Sequence, residues 1–166
     1  MPLLAVMASL LASALAPAAA NAATLQAAVT FTIVRPVVLK RIADLNFGSV
    51  VMPLVTSAGT VSLSQANVRT CAAQFTCSGA TTVASYNLVG TNNTVVVITA
   101  RPSQLANTTN TGAATLTFTP IAPATVTLAN SGNVGTNFTV GGSITLPATT
   151  APGTYTGTID ISADYQ

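Results

Sequence analysis

Few side chains in this 166-residue chain can take part in acid–base or nucleophilic chemistry. It has no His and no Glu, and its carboxylate side chains are Asp44, Asp160 and Asp164. Asp160 and Asp164 lie four residues apart on one predicted strand, which separates them by about 13 Å, too far to share a proton or a metal ion. A Ser–Lys pair would need Lys40, the sole lysine, beside a particular serine, and no motif supplies one. The sequence therefore predicts a protein that is not an enzyme and binds no cofactor.

The positive charges give little reason to expect a charged ligand. Arg35, Lys40 and Arg41 form the one basic concentration, and the formal net charge is only +2. Such a small charge does not favour nucleic-acid binding, and these side chains are better explained as keeping a strand edge soluble. A polyanion or a membrane surface is the alternative partner for them. We expect neither nucleic acid nor a small-molecule substrate.

The first 22 residues are typical of a signal peptide that is removed on export. An apolar stretch from Leu3 to Leu15 is followed by Pro17 and by Ala20-Asn21-Ala22. This order matches an apolar region followed by a small-residue cleavage site. The segment lacks Lys and Arg, so an uncleaved anchor is the alternative. We expect export through the periplasm to the cell surface, with a mature chain that begins at Ala23.

The two cysteines fit an exported protein. Cys71 and Cys77 are separated by five residues, and two thiols alone do not make a metal site. A redox-active pair usually has closer spacing at a helix N-terminus, whereas this segment is predicted to be a loop that leads into a strand. A structural disulfide is the default in an oxidising compartment, and we predict that Cys71 and Cys77 are bridged.

The mature chain has the composition and punctuation of an all-β protein. Thr, Val, Ala, Asn, Ser and Gly dominate it, and short alternating runs are separated by Gly, Pro and Asn. This pattern predicts an antiparallel β-sandwich, with a closed barrel as the structural alternative. Predicted strands cover residues 37–41, 45–51, 59–64, 81–89, 94–100, 114–119, 124–129, 137–146 and 154–165.

The first segment after the signal peptide, residues 23–36, stands apart from the sandwich domain predicted for residues 37–166. Between Thr24 and Val34, apolar and mostly polar residues alternate, which predicts a one-sided strand. Pro36 interrupts the ladder because it has no N–H to donate. The apolar row makes this segment a possible donor strand for another molecule, and its members are Leu25, Ala27, Val29, Phe31 and Ile33.

Several segments resemble an exported bacterial family known as domain of unknown function 4402. Residues 40–50, Lys-Arg-Ile-Ala-Asp-Leu-Asn-Phe-Gly-Ser-Val, and residues 73–76 before Gly79 carry the N-terminal part of the likeness. Residues 140–146 and 153–159 are similar to the family's C-terminal pattern. Their order and spacing cover most of the mature chain, whereas Cys71 and Cys77 depart from the pattern. The family name itself implies no activity.

A looser resemblance is to chaperone–usher pilins and spore-coat-U-like proteins. Those pilins end with a penultimate aromatic residue and a Gly fourteenth from the C-terminus, which match Tyr165 and Gly153 here. The resemblance implies an immunoglobulin-like, pilin-like sandwich whose last strand borders a groove left by a missing strand. A periplasmic chaperone would fill that groove first, and the next subunit would fill it at an outer-membrane usher. The residues expected to border it are Gly153, Ile159, Ile161, Ala163 and Tyr165.

These observations lead to three functional hypotheses. The first is a secreted structural subunit of a fimbria-like or other cell-surface fibre, a homopolymer joined by β-strand complementation. The second is a self-contained envelope or extracellular-matrix protein, in which residues 24–34 fold back onto their own sheet. The third is a carbohydrate-binding adhesin, although the chain offers no Trp for stacking on a sugar.

Overall fold

The computed structural model of the protein describes residues 26–54, 57–129 and 134–166. It divides into two units, of which the second is Ile33–Gln166 and the described part of the first is residues 26–32. Within the described residues the secondary structure is all β, which confirms the predicted fold class. In this part of the chain no helix is long and apolar enough to cross a membrane.

The second unit contains thirteen strands among its described residues. They are β1 (Val38–Ala43), β2 (Ser49–Val51), β3 (Gly59–Leu63), β4 (Arg69–Cys71), β5 (Thr76–Ser78), β6 (Ala84–Val89), β7 (Val95–Arg101), β8 (Ser103–Asn107), β9 (Leu116–Ile121), β10 (Thr125–Thr127), β11 (Thr136–Leu146), β12 (Tyr155–Thr156) and β13 (Asp160–Tyr165).

These strands form antiparallel sheets in a sandwich-like arrangement. The largest sheet has the order β1-β6-β11-β9-β8-β12, with β3 paired to β11 and β4 paired to β3. A second sheet has the order β10-β7-β13, and β2 and β5 form a two-stranded ribbon. Among the described residues, β13 is therefore an edge strand, whose one strand partner is β7.

Strand β11 connects the two ends of the large sheet because it changes partners in its middle. Residues 136–140 pair with β6, whereas residues 142–146 pair with β3. The change falls at Gly141 and Gly142, where the backbone is close to its neighbours. A Cβ at Gly142 would collide with the ring of Phe118, and one at Gly141 would collide with the carbonyl oxygen of Leu63. Only glycine fits both positions.

The buried core has two parts. The first lies between the β1-β6-β11 portion of the large sheet and the β10-β7-β13 sheet, and the alternation of buried residues along β6 is its clearest sign. The second lies at the other end, beside β3, β9 and the end of β11. Buried members of the first are Ala84, Tyr86, Leu88, Val96, Ile98, Val126, Leu128, Phe138 and Val140; those of the second are Val61, Phe75, Leu116 and Leu146.

Each strand predicted within residues 37–165 overlaps an observed strand. The prediction missed β4, β5 and β8, of which β4 and β5 have three residues each. The single strand predicted for residues 154–165 is divided into β12 and β13, because its two halves pair with β8 and with β7, respectively.

The strand predicted for residues 24–34 is not formed over residues 26–34. An extended segment becomes a strand only when its backbone forms hydrogen bonds with the edge of another strand. Alternating apolar residues predict which face would be buried, but they do not provide that partner strand. Leu25 and the predicted signal peptide lie outside the described residues, so their predictions stand as stated. The domain division at residue 37 likewise remains a prediction.

Candidate functional site

The segment of residues 155–165 is supported on one side only. β12 pairs with β8 and β13 pairs with β7. Neither strand has a partner on its other edge among the described residues. The side chains of Ile161 and Ala163 pack against the first part of the core but remain only partly buried. An open strand edge therefore lies over apolar side chains.

A groove of about 930 Å³ with both polar and apolar lining residues lies next to β12. Two stretches of chain form most of its lining and are called its walls: residues 45–54, which include β2, and residues 150–159, which include β12. Predicted groove residues Gly153 and Ile159 belong to the second wall. We call this space the β2–β12 groove. Its floor is formed by Leu105, Leu116, Phe118, Ile144 and Leu146.

The β2 wall is held by a turn that the sequence encodes locally. Asn46 exchanges two backbone hydrogen bonds with Thr82, and its side-chain Oδ1 accepts the N–H of Gly48 at 2.9 Å. Gly48 has φ of 76°, a left-handed conformation that favours glycine. Phe47, between them, packs its ring edge against Phe118 of the groove floor at 6.2 Å between centroids. The Asn-Phe-Gly order of this segment thus fixes one wall to the floor.

Arg69 holds the same turn from the side. Its Nη1 donates to the carbonyl oxygen of Phe47 at 2.9 Å and to that of Ser78 at 2.7 Å. The guanidinium therefore joins the turn before β2 to the turn after β5. The sequence analysis did not identify Arg69, because its partners are backbone carbonyls, which leave no signal in residue types.

The predicted disulfide is present, and one of its cysteines, Cys77, lies on β5, the partner strand of β2. Cys71 of β4 is bonded to Cys77 of β5, with a Cα–Cα distance of 6.4 Å. Cys71 is opposite Val61 on β3, and Cys77 is opposite Val50 on β2. The bond therefore links the β2–β5 ribbon to the large sheet.

Gly153 lies on the β12 wall at a position where there is no room for a side chain. A Cβ there would contact the side-chain amide of Asn107, and Gly153 has φ of 145°. Asn107 is buried, accepts the N–H groups of Thr109 and Asn110 at 2.9 and 2.8 Å, and donates to the carbonyl oxygen of Pro152 at 3.2 Å. Asn107 thereby ties the loop after β8 to the chain entering the wall.

Tyr165 lies at the opposite end of the terminal segment from this groove wall. Its hydroxyl accepts the N–H of Thr91 at 2.7 Å and donates to the carbonyl oxygen of Arg35 at 2.6 Å. The N–H of Arg35 in turn donates to Thr91 Oγ1 at 2.8 Å. A small hollow beside Tyr165 is lined in part by Val34. These bonds, which we call the Tyr165 clamp, fix the chain where it enters the sandwich.

The predicted donor residues are strongly exposed. Val29, Phe31 and Ile33 have 90%, 79% and 80% of their surface accessible, and Ala27 is also exposed. Exposed apolar side chains are unremarkable singly, but these three alternate along one short segment. We call residues 26–34 the leader.

None of the three Asp residues is among those that line the β2–β12 groove. Asp44 pairs with Arg41 at 2.7 Å and Asp160 pairs with Arg101 at 3.8 Å, all with exposed side chains. Among the described residues no three His, Cys, Asp or Glu side chains cluster as a metal site would require. Burial raises the pKa of the Tyr86 phenol; Arg41 lowers it and Asp44 raises it by smaller amounts.

Fold and site together define an all-β antiparallel sandwich with a disulfide-supported groove beside its terminal segment. The chain belongs to the family described as "Domain of unknown function (DUF4402)", whose model matches residues 37–165. This match confirms the family resemblance found in the sequence. Comparison with curated proteins and with solved structures gave no match. The looser likeness to chaperone–usher pilins stays a hypothesis.

Proposed function

We propose that the protein is a secreted structural subunit of a fimbria-like or other cell-surface fibre, in which the leader of one copy completes the sandwich of another. The observation that carries the proposal is the leader itself, an exposed segment that has the period of a one-sided strand but forms no strand over its described residues 26–34. Burying Val29, Phe31 and Ile33 would contribute about 1.5–3 kcal/mol for each side chain, as an upper estimate.

This gain must exceed the cost of ordering the leader. Fixing the backbone costs about 1–2 kcal/mol per residue, so side-chain burial alone does not suffice for nine residues. Backbone hydrogen bonds to an open strand edge supply the remainder and set the register. Because side chains alternate, a slip of one residue would turn the apolar row to solvent. The proposal therefore requires an acceptor with both an open edge and apolar pockets.

The Tyr165 clamp favours donation to a second copy over self-completion. It holds Arg35 at the C-terminal end of β13. A leader that filled a site along its own terminal segment would have to reverse direction within Arg35 and Pro36. It would then run parallel to β13, although every named strand pair in the structure is antiparallel. A leader from another copy has neither restriction.

Export and assembly partners complete the proposal. A disulfide is compatible with an oxidising, extracytoplasmic compartment. We propose secretion through the periplasm to the cell surface, with the homopolymer as the functional state. The pilin resemblance implies the remaining parts of the proposal, which are an immunoglobulin-like, pilin-like strand arrangement, a periplasmic chaperone and an outer-membrane usher. The terminal edge strand β13 supports that resemblance.

Assembly of exported protein tests the proposal directly. SDS-resistant ladders should form from the intact mature chain and disappear when residues 23–34 are deleted. Phe31→Asp should also abolish them, because a charge would enter an apolar pocket. Thr32→Asp is the matched control, since its side chain lies on the opposite side of the strand and should leave the ladders intact.

The self-contained alternative predicts a different outcome. If the leader completes its own sheet, the mature protein stays monomeric and the leader resists proteolysis in dilute solution. That result would end the fibre proposal. A glycan array that identifies a specific sugar would instead support the adhesin hypothesis.

A further inference from the structure

We propose that the β2–β12 groove is the acceptor for the leader of a second copy, which enters as a strand between β2 and β12. This inference rests on the proposed function but adds the place of binding. It also adds a wall, residues 45–54, that the terminal segment alone does not suggest. The second copy's leader is the occupant to which the proposal commits.

Two strands that line the groove each have a single strand partner among the described residues. β2 is paired through one edge with β5, and β12 is paired through one edge with β8. Within the described residues, each lacks a strand partner on its other edge. Both strands line the same groove. An inserted strand could therefore bond through its N–H and C=O groups to either wall.

The floor supplies the apolar half of the site. Its residues come from β8, β9 and β11, and two of them, Leu105 and Ile144, are only partly buried. A strand between the walls would direct alternate side chains down to this floor and the others to solvent. Val29, Phe31 and Ile33 would then cover the floor, and Thr30 and Thr32 would face water. The leader's period matches this division.

The two strands at the groove are short: β2 has three residues and β12 has two. Nine extended residues span about 30 Å at about 3.3 Å per residue, so each strand would pair with only part of the leader. The groove volume alone would also suit a small molecule, since such sites enclose about 300–1,000 Å³. The feature that favours a peptide strand is the unpaired edge of β2 and of β12, because the backbone N–H and C=O groups of a strand need hydrogen-bond partners.

The β2 wall is held in place by two interactions. Arg69 donates to the turn before β2, and the Cys71–Cys77 disulfide links β5, the partner strand of β2, to β4. Val51 and Leu54 on this wall nevertheless expose their side chains, with 60% and 105% of their surface accessible. A strand lying in the groove would cover apolar surface on this wall as well as on the floor.

Photo-cross-linking in the exported full chain tests the location. A photoreactive phenylalanine analogue replaces Val51 on one wall or Thr156 on the other. Both native side chains are exposed, so the fold should tolerate the change. Thr117, an exposed β9 residue outside the groove, is the matched control. Irradiated samples are separated by mass, and the adducts are mapped by peptide sequencing.

The expected result is an adduct between two chains from both wall positions, mapped to residues 26–34, with none from Thr117. Adding Phe31→Asp to the same chains should remove the adduct while the variant still shows a cooperative thermal transition, which indicates that each subunit remains folded. Leader-dependent ladders with wall adducts that map elsewhere, or with equal labelling at Thr117, would overturn the groove proposal and leave the fibre proposal standing. Adducts confined to one chain, or no ladders at all, would overturn both.

Discussion

The hydroxyl of Tyr165 donates to the carbonyl oxygen of Arg35 across 130 residues of sequence, at 2.6 Å. The hydroxyl oxygen of Tyr165 also accepts the N–H of Thr91. One phenol therefore joins β13, the β6–β7 loop and the segment before β1. A Cβ on Gly90 would lie 2.5 Å from this hydroxyl, which explains the glycine beside it. The beginning and the end of the second unit, Ile33–Gln166, are thus held together at a single polar atom.

Tyr165→Phe should destabilise the sandwich while keeping its ring in place. The variant leaves the Thr91 N–H and the Arg35 carbonyl without this partner, at a cost of about 1–3 kcal/mol in the free energy of unfolding. Denaturant titration measures the change. Tyr155→Phe is the matched control, because that hydroxyl makes a single bond, to Ala151, and should cost only about 0.5–1.5 kcal/mol. Equal stability of Tyr165→Phe and the unmodified protein would show that the clamp contributes nothing.

Gly48→Ala should be costly because position 48 combines a left-handed backbone with a tight contact. An added Cβ would lie 2.5 Å from Arg69 Nη1 and 2.5 Å from the Ser78 oxygen, and the conformation itself costs about 1–2 kcal/mol for a non-glycine residue. We expect a loss of at least about 2 kcal/mol in thermal or denaturant unfolding. Gly112→Ala, where the nearest atom is 3.8 Å away, should change stability by no more than about 0.5 kcal/mol.

Replacing both Cys71 and Cys77 by Ser should lower the free energy of unfolding by about 2–2.5 kcal/mol in the chain-entropy model, because the unfolded chain regains a short loop's freedom. Unfolding in urea with and without a reductant measures it. Reductant should bring the unmodified protein to the stability of the double variant. If the double variant itself responds to reductant, the effect does not come from this disulfide.

Alkaline pH should destabilise the protein through Tyr86. Burial raises the pKa of this phenol above its usual 10.0, so the folded state keeps a proton that the unfolded chain releases. Stability from this group is therefore complete below pH 10 and declines as the pH rises toward and through the folded-state pKa. The unfolding free energy of the unmodified protein, measured relative to that of Tyr86→Phe, should therefore fall as the pH rises through this range. Parallel curves would contradict the linkage.

The predicted strands lie within longer runs of apolar alternation, even where the observed strand is short: β2 and β10 have three residues each and were predicted. Burial alternates regularly along β6, which was predicted, whereas β8 was missed although it has five residues. β4 and β5 have three residues each, too few for a period to emerge. Their strand character comes from pairing with β3 and β2 and from the disulfide between them.

The sequence likewise left part of the candidate site unidentified. Gly153 and Ile159 line the β2–β12 groove, and the groove-edge role that the pilin resemblance implies for them stays a prediction. Tyr165 lies at the other end of the terminal segment, in the clamp with Arg35 and Thr91. The β2 wall was not predicted as part of the site, although Asn46, Phe47 and Gly48 were singled out within the family likeness.

The sequence by itself determined the all-β class, the cysteine pair and the apolar period of the leader, because composition and alternation act through local geometry. Tertiary structure decided that residues 45–54 and 150–159 line one groove, and that the Tyr165 hydroxyl contacts the Arg35 carbonyl oxygen. Those relationships join residues about 100 or more positions apart, and the closure of such long loops depends on how whole sheets pack rather than on any local pattern.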